Sequence, residues 1–181
     1  MEPLAFRGLD TGDLLFFSGR RIWSRLIQWR TGSEWSHVGL FVRIDQMPFV
    51  LESLEGVGVR LVPLSVWLAW PGHIGFATTS LEREQREHML HCGLSLLGQR
   101  YAPPRQFVRS FSVLWSRLTR RWRLASDVAP DRWFCSELVA ALIEQAGGDI
   151  SDEPAHVSPG DLAADRKVCI VLGIFRPSKE C

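Results

Sequence analysis

Apolar residues in this chain come in runs of strand length, and the gaps between successive runs leave room only for tight turns. Runs at 37–44, 49–53 and 57–62 follow one another, separated only by Asp45-Gln46-Met47-Pro48 and Leu54-Glu55-Gly56. Parallel neighbours need a crossover of about a dozen residues or more, so these runs can pair only antiparallel. Within 37–44 the alternation is clean. His37, Gly39, Phe41 and Arg43 share one face, and Val38, Leu40, Val42 and Ile44 share the other. A buried strand at 14–17 follows the Gly12-Asp13 turn, and further strands are expected at 73–77 and 168–175.

Helical spacing appears between and after these runs. Ile22, Trp23, Leu26, Ile27 and Arg30 mark one helix, stopped by Thr31-Gly32-Ser33. Thr79-Ser80-Leu81-Glu82 fits a capping box opening a helix that Gly98 ends near Leu97. A helix runs over 135–146, its inner face Leu138, Val139, Leu142, Ile143 and Ala146, and Gly147-Gly148 closes it. Phe107, Val108, Phe111, Leu114, Trp115, Leu118 and Trp122 form one more stripe. The expected class is α+β, with a small antiparallel sheet or partial barrel packed against helices.

Composition fits this picture. With 46% hydrophobic and 23% charged residues, the chain is neither disordered nor a rod. Its 181 residues suit a single domain spanning 1–181, with a basic helical insertion at about 102–130. A net charge of +1 argues against nucleic acid as a partner. Charge is nevertheless uneven: seven arginines and no acid lie between Arg100 and Arg123. That segment reads as a lid, as a membrane-surface element, or as a packed helix with a solvated arginine face. Met1 to Asp13 shows no basic patch followed by an apolar run, so no signal peptide is expected. The uncharged stretch 61–81 is interrupted by Pro63, Pro71, Gly72 and His73, which makes it a poor membrane span. The expected location is cytoplasmic or peripheral at a membrane, with free thiols.

Among the four cysteines, Cys135 stands apart because it opens a helix. Unpaired N–H groups and the helix dipole there favour an anion, and the thiolate is the nucleophilic form. Cys92 falls inside a helix, Cys169 in a strand, and Cys181 at the end of the chain. A nucleophilic thiol needs a base, usually histidine. His88, His91 and Cys92 stand at i, i+3 and i+4 on one short helical segment, which seldom closes a tetrahedral metal site, so no metal is expected. His73 and His156 read as solvated loop residues. His37 begins an apolar strand and can be presented at the rim of a sheet. Glu52 is a lone acid in an apolar run and needs a partner if it points inward. Glu55 is its rival for the role of orienting the imidazole. If the hairpin turns tightly at Ile44-Asp45, His37 lies directly opposite Glu52. If the loop is 45–48, the two are four residues out of register, roughly 13 Å. Turn chemistry favours the second, and the residues alone leave the choice open.

Trp35-Ser36-His37-Val38-Gly39-Leu40, then Val50-Leu51-Glu52-Ser53, then Phe134-Cys135-Ser136-Glu137-Leu138-Val139 resemble the permuted branch of the NlpC-type papain-like cysteine hydrolases, above all its YiiX/YebB-like group. More distant kin are the lecithin:retinol acyltransferase-like enzymes. Supporting blocks are Gly12-Asp13-Leu14-Leu15-Phe16-Phe17, Gly98-Gln99-Arg100-Tyr101 and Val157-Ser158-Pro159-Gly160-Asp161-Leu162. The resemblance implies that Cys135 is the nucleophile, His37 the base and Glu52 the orienting acid, and it favours the tight hairpin. It implies the Cys135 backbone N–H as an oxyanion donor, Tyr101 as a substrate contact, and no cofactor. The residue after that tyrosine is often Asp in such proteins and is Ala102 here, so a substrate-amine contact at that point is in doubt. Asp13 and Glu137 also match recurrent positions and read as structural, the first turn-forming and the second a dipole partner. The implied activity is cleavage of an amide bond, as a peptidase or amidase, through an acyl-enzyme. The alternatives are a thiol acyltransferase or thioesterase on lipid-like substrates, and a non-catalytic binding module. The implied partner is a peptide or acyl-amide substrate, joined by an anionic membrane surface if 105–123 docks there.

Overall fold

The computed structural model describes residues 3–101, 132–154 and 157–176. The basic segment expected to form an insertion and a membrane-facing helix at 105–123 lies outside these residues.

Six strands form one open antiparallel sheet: β1 (Leu14–Gly19), β2 (His37–Ile44), β3 (Met47–Leu54), β4 (Gly58–Pro63), β5 (Gly72–Thr79) and β8 (Cys169–Phe175). The order across it is β4-β3-β2-β1-β5-β8. β1 is central, pairs on both sides, and is buried along its whole length, as its unbroken apolar run demands. Two short strands, β6 (Arg100–Tyr101) and β7 (Arg132–Trp133), pair in parallel beside it.

The described helices are α1 (Ile22–Thr31), α2 (Leu64–Leu68), α3 (Arg83–Ser95), α4 (Cys135–Gln145) and α5 (Pro159–Ala164). On one face of the sheet, Leu138, Val139, Leu142 and Ile143 of α4 and Met89 of α3 pack on Leu14, Val38, Leu40 and Leu51. On the other, Leu64 and Trp67 of α2 join Phe6 and Leu9 over Leu15, Phe17, Phe41 and Val50. The period-2 alternation of β2 and β3 therefore feeds two cores, not one core and a wet face. α2 is hidden in the sequence because it holds five residues directly after a strand, too few to show a helical period.

The β2–β3 hairpin differs from both expected forms. Ile44 pairs with Met47, so the loop is Asp45-Gln46 alone, with φ of 47° and 67°. Two consecutive left-handed residues make a type I′ turn, whose twist matches that of a hairpin. Leu40 faces Leu51. Carried on one step, that register sets Gly39 opposite Glu52 and His37 two residues away on the diagonal. Diagonal neighbours on one face lie about 7–8 Å apart, within reach of long side chains.

The start of α3 also differs. Its capping box is Glu82 with Gln85, one turn later than Thr79-Ser80-Leu81-Glu82. The earlier hydroxyls are engaged elsewhere: Thr79 Oγ1 donates to the Gly12 carbonyl, and Ser80 Oγ to that of Lys167.

Candidate active site

Cys135 is the first residue of α4, after Phe134 in extended conformation, and only 8% of it is exposed. The segment that delivers it is fixed from two sides. Ser53 Oγ donates to the Trp133 carbonyl at 2.7 Å, and β7 pairs with β6, the Arg100-Tyr101 block. Glu137 accepts from the Phe134 N–H at 3.2 Å and closes the first turn, in the structural role expected of it.

His37 is the first residue of β2. Ser36 pins that strand end to β1: its backbone N–H donates to the Phe17 carbonyl, and its Oγ accepts from the Gly19 N–H. Trp67 and Trp70, stacked on each other, flank the imidazole with centroids 5.3 and 6.0 Å away. Gly39 leaves room for this packing, since a Cβ there would come within 2.9 Å of the Trp67 ring and 2.6 Å of Val50.

His37 Nε2 lies 2.6 Å from Glu52 Oε2. Nδ1 is thus the nitrogen left to face Cys135, which lines the same cleft and acts electrostatically on the ring. Glu52 is fully buried and has a second partner that the sequence reading missed. Arg60 Nε and one terminal nitrogen both donate to Glu52 Oε1, at 2.9 and 2.7 Å. Arg60 stands directly across β3–β4 from Glu52. The available signal was a second lone charge, opposite in sign, in the next apolar run. Glu55, the rival acid, is exposed and lines the cleft instead.

Burial by itself lowers the His37 pKa, but the Cys135 thiolate and then Glu52 more than reverse this, raising it from 6.5 to about 10. Burial pushes the Cys135 thiol up. The charge and hydrogen bond of His37, with the Val38 and Ser136 backbone N–H groups, pull it below its ordinary 9.0. Burial likewise raises Glu52, and His37 and then Arg60 bring it below 4.5. These shifts all favour an alternating row of charge: thiolate, imidazolium, carboxylate, guanidinium.

A cleft of about 760 Å³ opens over this row. Its walls include Phe17, Trp23, Ile27, Trp70, Phe134 and Val157. Tyr101 contributes its backbone to the β6–β7 pairing, and its side chain lies outside what is described. His73, expected to be solvated, instead meets Glu34 at 2.8 Å and packs against Trp35. Cys92 lies on α3 with His88 Nε2 at 3.5 Å. His156 and Cys181 fall outside the described residues, as does the Cys169 side chain.

A family model described as permuted papain-like amidase enzyme, YaeF/YiiX, C92 family, matches residues 8–106. The match takes in His37, Glu52 and Arg60 and stops short of Cys135. The uncharacterized protein YiiX of Escherichia coli K12 is 27% identical over 159 residues, covering 86% of this chain and 67% of that protein. A crystal structure of YiiX from Escherichia coli O157:H7, described there as a metalloprotein, superposes with a TM-score of 0.57 at 29% identity, over 77% of this chain and 67% of that one.

Proposed function

The chain belongs to the permuted papain-like amidase family, the YaeF/YiiX or C92 family, and on that footing we propose that it hydrolyses amide bonds through an acyl-enzyme on Cys135. The observation that carries this reading is the 2.6 Å contact between His37 and buried Glu52, in the cleft that Cys135 also lines. The Cys135 thiolate attacks the carbonyl carbon, forming a C–S bond and placing charge on the oxygen. The Cys135 backbone N–H at the helix N-terminus is a donor for that oxyanion. As the C–N bond breaks, the His37 imidazolium gives its proton to the leaving amine. Neutral His37 then takes a proton from water, which attacks the thioester and releases acid and free thiol. Glu52, held by Arg60, keeps the imidazole oriented and supports its charge.

Peptide or acyl-amide substrates suit the cleft, whose apolar wall carries Trp23, Ile27 and Trp70 beside the polar row. Among the described residues no three His, Cys, Asp or Glu side chains converge as metal ligands. A metal therefore finds no fitted donor set there, and the proposed reaction draws no step through one. No described helix is long and apolar enough to cross a membrane.

Intact-mass analysis after exposure to cell extract tests the reading. A covalent acyl adduct is expected on the parent chain and not on Cys135→Ala. Hydrolysis that survives Cys135→Ala would overturn it.

A further inference from the structure

α1 is amphipathic in the inverted sense. Its polar side faces the protein: Gln28 donates to Ser18 Oγ and to the carbonyls of Gly19 and Glu34, and Ser24 packs on Gly19. Its apolar side faces outward. Ile22 is 83% exposed, Trp23 69%, Leu26 42% and Trp29 77%, and no residue of the helix is buried. Ile22, Leu26 and Trp29 stand at i, i+4 and i+7, one continuous stripe with Trp23 at its edge. A surface helix of a globular protein normally carries the opposite arrangement.

The flanks of the stripe carry Arg20, Arg21 and Arg25, all exposed and without an ion pair among the described residues. No acid occurs between Asp13 and Glu34. Tryptophan and leucine on one side with arginines beside them is the pattern of a helix lying in a bilayer interface, where the rings sit at headgroup level and the guanidinium groups meet phosphates. A second copy of the chain fits less well. Ten residues give a strip about 15 Å long and about 10 Å wide, of the order of 150 Å², well short of the roughly 800 Å² per partner of a standard interface. The unpaired arginines would also repel their symmetry mates.

We infer that α1 is the element by which the protein seats itself on an anionic lipid bilayer. Trp23, Ile27 and Arg30 of this helix also form a wall of the Cys135 cleft. A docked α1 would set the cleft mouth at the membrane surface, where an amide carried by a lipid can enter from the bilayer side. That last consequence rests on the amide-hydrolase reading; the docking does not.

The test is co-sedimentation of the full chain, in a Cys135→Ala background, with phosphatidylcholine vesicles made with and without phosphatidylglycerol. Binding is expected only with the anionic lipid, and it should weaken as salt rises. Trp23→Ser/Trp29→Ser and Arg21→Glu/Arg25→Glu should each weaken it by about tenfold or more. All four positions are exposed, so the thermal melts of these variants should match that of the parent. The inference is overturned if the parent chain stays in the supernatant at low salt. It is equally overturned if both double variants bind as well as the parent, which would put the contact elsewhere. It is also overturned if Trp23→Ser/Trp29→Ser converts a dimer to a monomer in light scattering without any vesicle binding. Because the background lacks the thiol, none of these outcomes depends on catalysis. Selective alkylation of Cys135 in the native chain reports separately on the hydrolase reading.

Discussion

At the scale of single residues, the site is a chain of dependences running from Arg60 to Cys135. A fully buried carboxylate is costly unless both oxygens are satisfied. Glu52 meets this with one oxygen on Arg60 and the other on His37. The Cys135 thiolate and then the retained charge of Glu52 lift the imidazole, and the imidazolium lowers the thiol. An ordinary thiol at 9.0 is thiolate in roughly one molecule per thousand at pH 6. Iodoacetamide at pH 6 should therefore modify Cys135 well ahead of Cys92, and His37→Ala should remove that lead; uniform labelling of the cysteines would contradict the ion pair. The same shifts fix a dependence of stability on pH. His37, raised, contributes stability that is complete below 6.5 and lost as pH climbs through about 10. Cys135, lowered, contributes stability that is complete above 9.0 and lost as pH falls through its depressed value. Where the two windows overlap, up to 9.0, the slopes oppose and cancel. The difference in Tm between the parent and Cys135→Ala should be level across that overlap and shrink above 9.0. Differential scanning calorimetry across pH 4–11 checks this, and a difference that holds or grows above 9.0 would refute it. Arg60→Met should cost about 2 kcal/mol, seen in denaturant melts. It should also slow Cys135 alkylation at pH 6, because the carboxylate beneath His37 then gains a proton more readily.

At the scale of elements, what could be read from the sequence followed from period and charge. β1, β2, β3 and the face shared by His37 and Glu52 were legible because alternation fixes which side chains share a side. Register was not, because Asp45-Gln46 lacks the glycine that usually marks a type I′ turn, while Pro48 suggested a longer loop. The left-handed Gln46 is the weak point of that hairpin, at φ 67°. Gln46→Gly should stabilise the protein by about 0.5–1 kcal/mol, since relief of left-handed strain exceeds the added chain entropy; a lowered denaturation midpoint would argue against the turn assignment. Arg60 escaped notice because a salt bridge between strands becomes visible only once their register is known. The tryptophan pair behind His37 escaped for a related reason, since α2 is too short to carry a period. Gly39 is where these elements meet. A methyl group there would press on Trp67 and Val50. Gly39→Ala should cost about 1–3 kcal/mol and slow Cys135 alkylation by disturbing the Trp67 ring that packs beside His37, both measurable on one purified variant.

At the scale of the whole molecule, one side chain ties the turn before β1 to β5 and α3. Asp13, read from sequence as a turn former, does accept the Asp10 N–H, but it also accepts Thr78 Oγ1 at 2.8 Å and Arg86 at 2.6 Å. Arg86, on α3, further donates to the carbonyls of Thr11, Leu81 and Thr79 and to Thr78 Oγ1. Gly12, with φ of 98°, lets the stem of Arg86 lie where a Cβ would come within 2.7 Å of it. The turn before β1, the end of β5 and the start of α3 thus share one guanidinium. Nothing in the spacing of Asp13 and Arg86 announces this, because the contact spans 73 residues. Arg86→Met keeps the apolar stem but leaves a nearly buried carboxylate short of its charge partner. The expected loss is about 3 kcal/mol, a fall in Tm of roughly 6–12 °C for a chain of this size. Asp13→Asn in the same chain should recover part of it, since the uncompensated charge is gone, and the double-mutant cycle gives the coupling directly. The link lies away from the cleft, so Cys135 in the folded Arg86→Met protein should alkylate at the parent rate at pH 6. A Tm within about 2 °C of the parent, less than 1 kcal/mol, would show that the other bonds of Asp13 suffice and that Arg86 is not the tie.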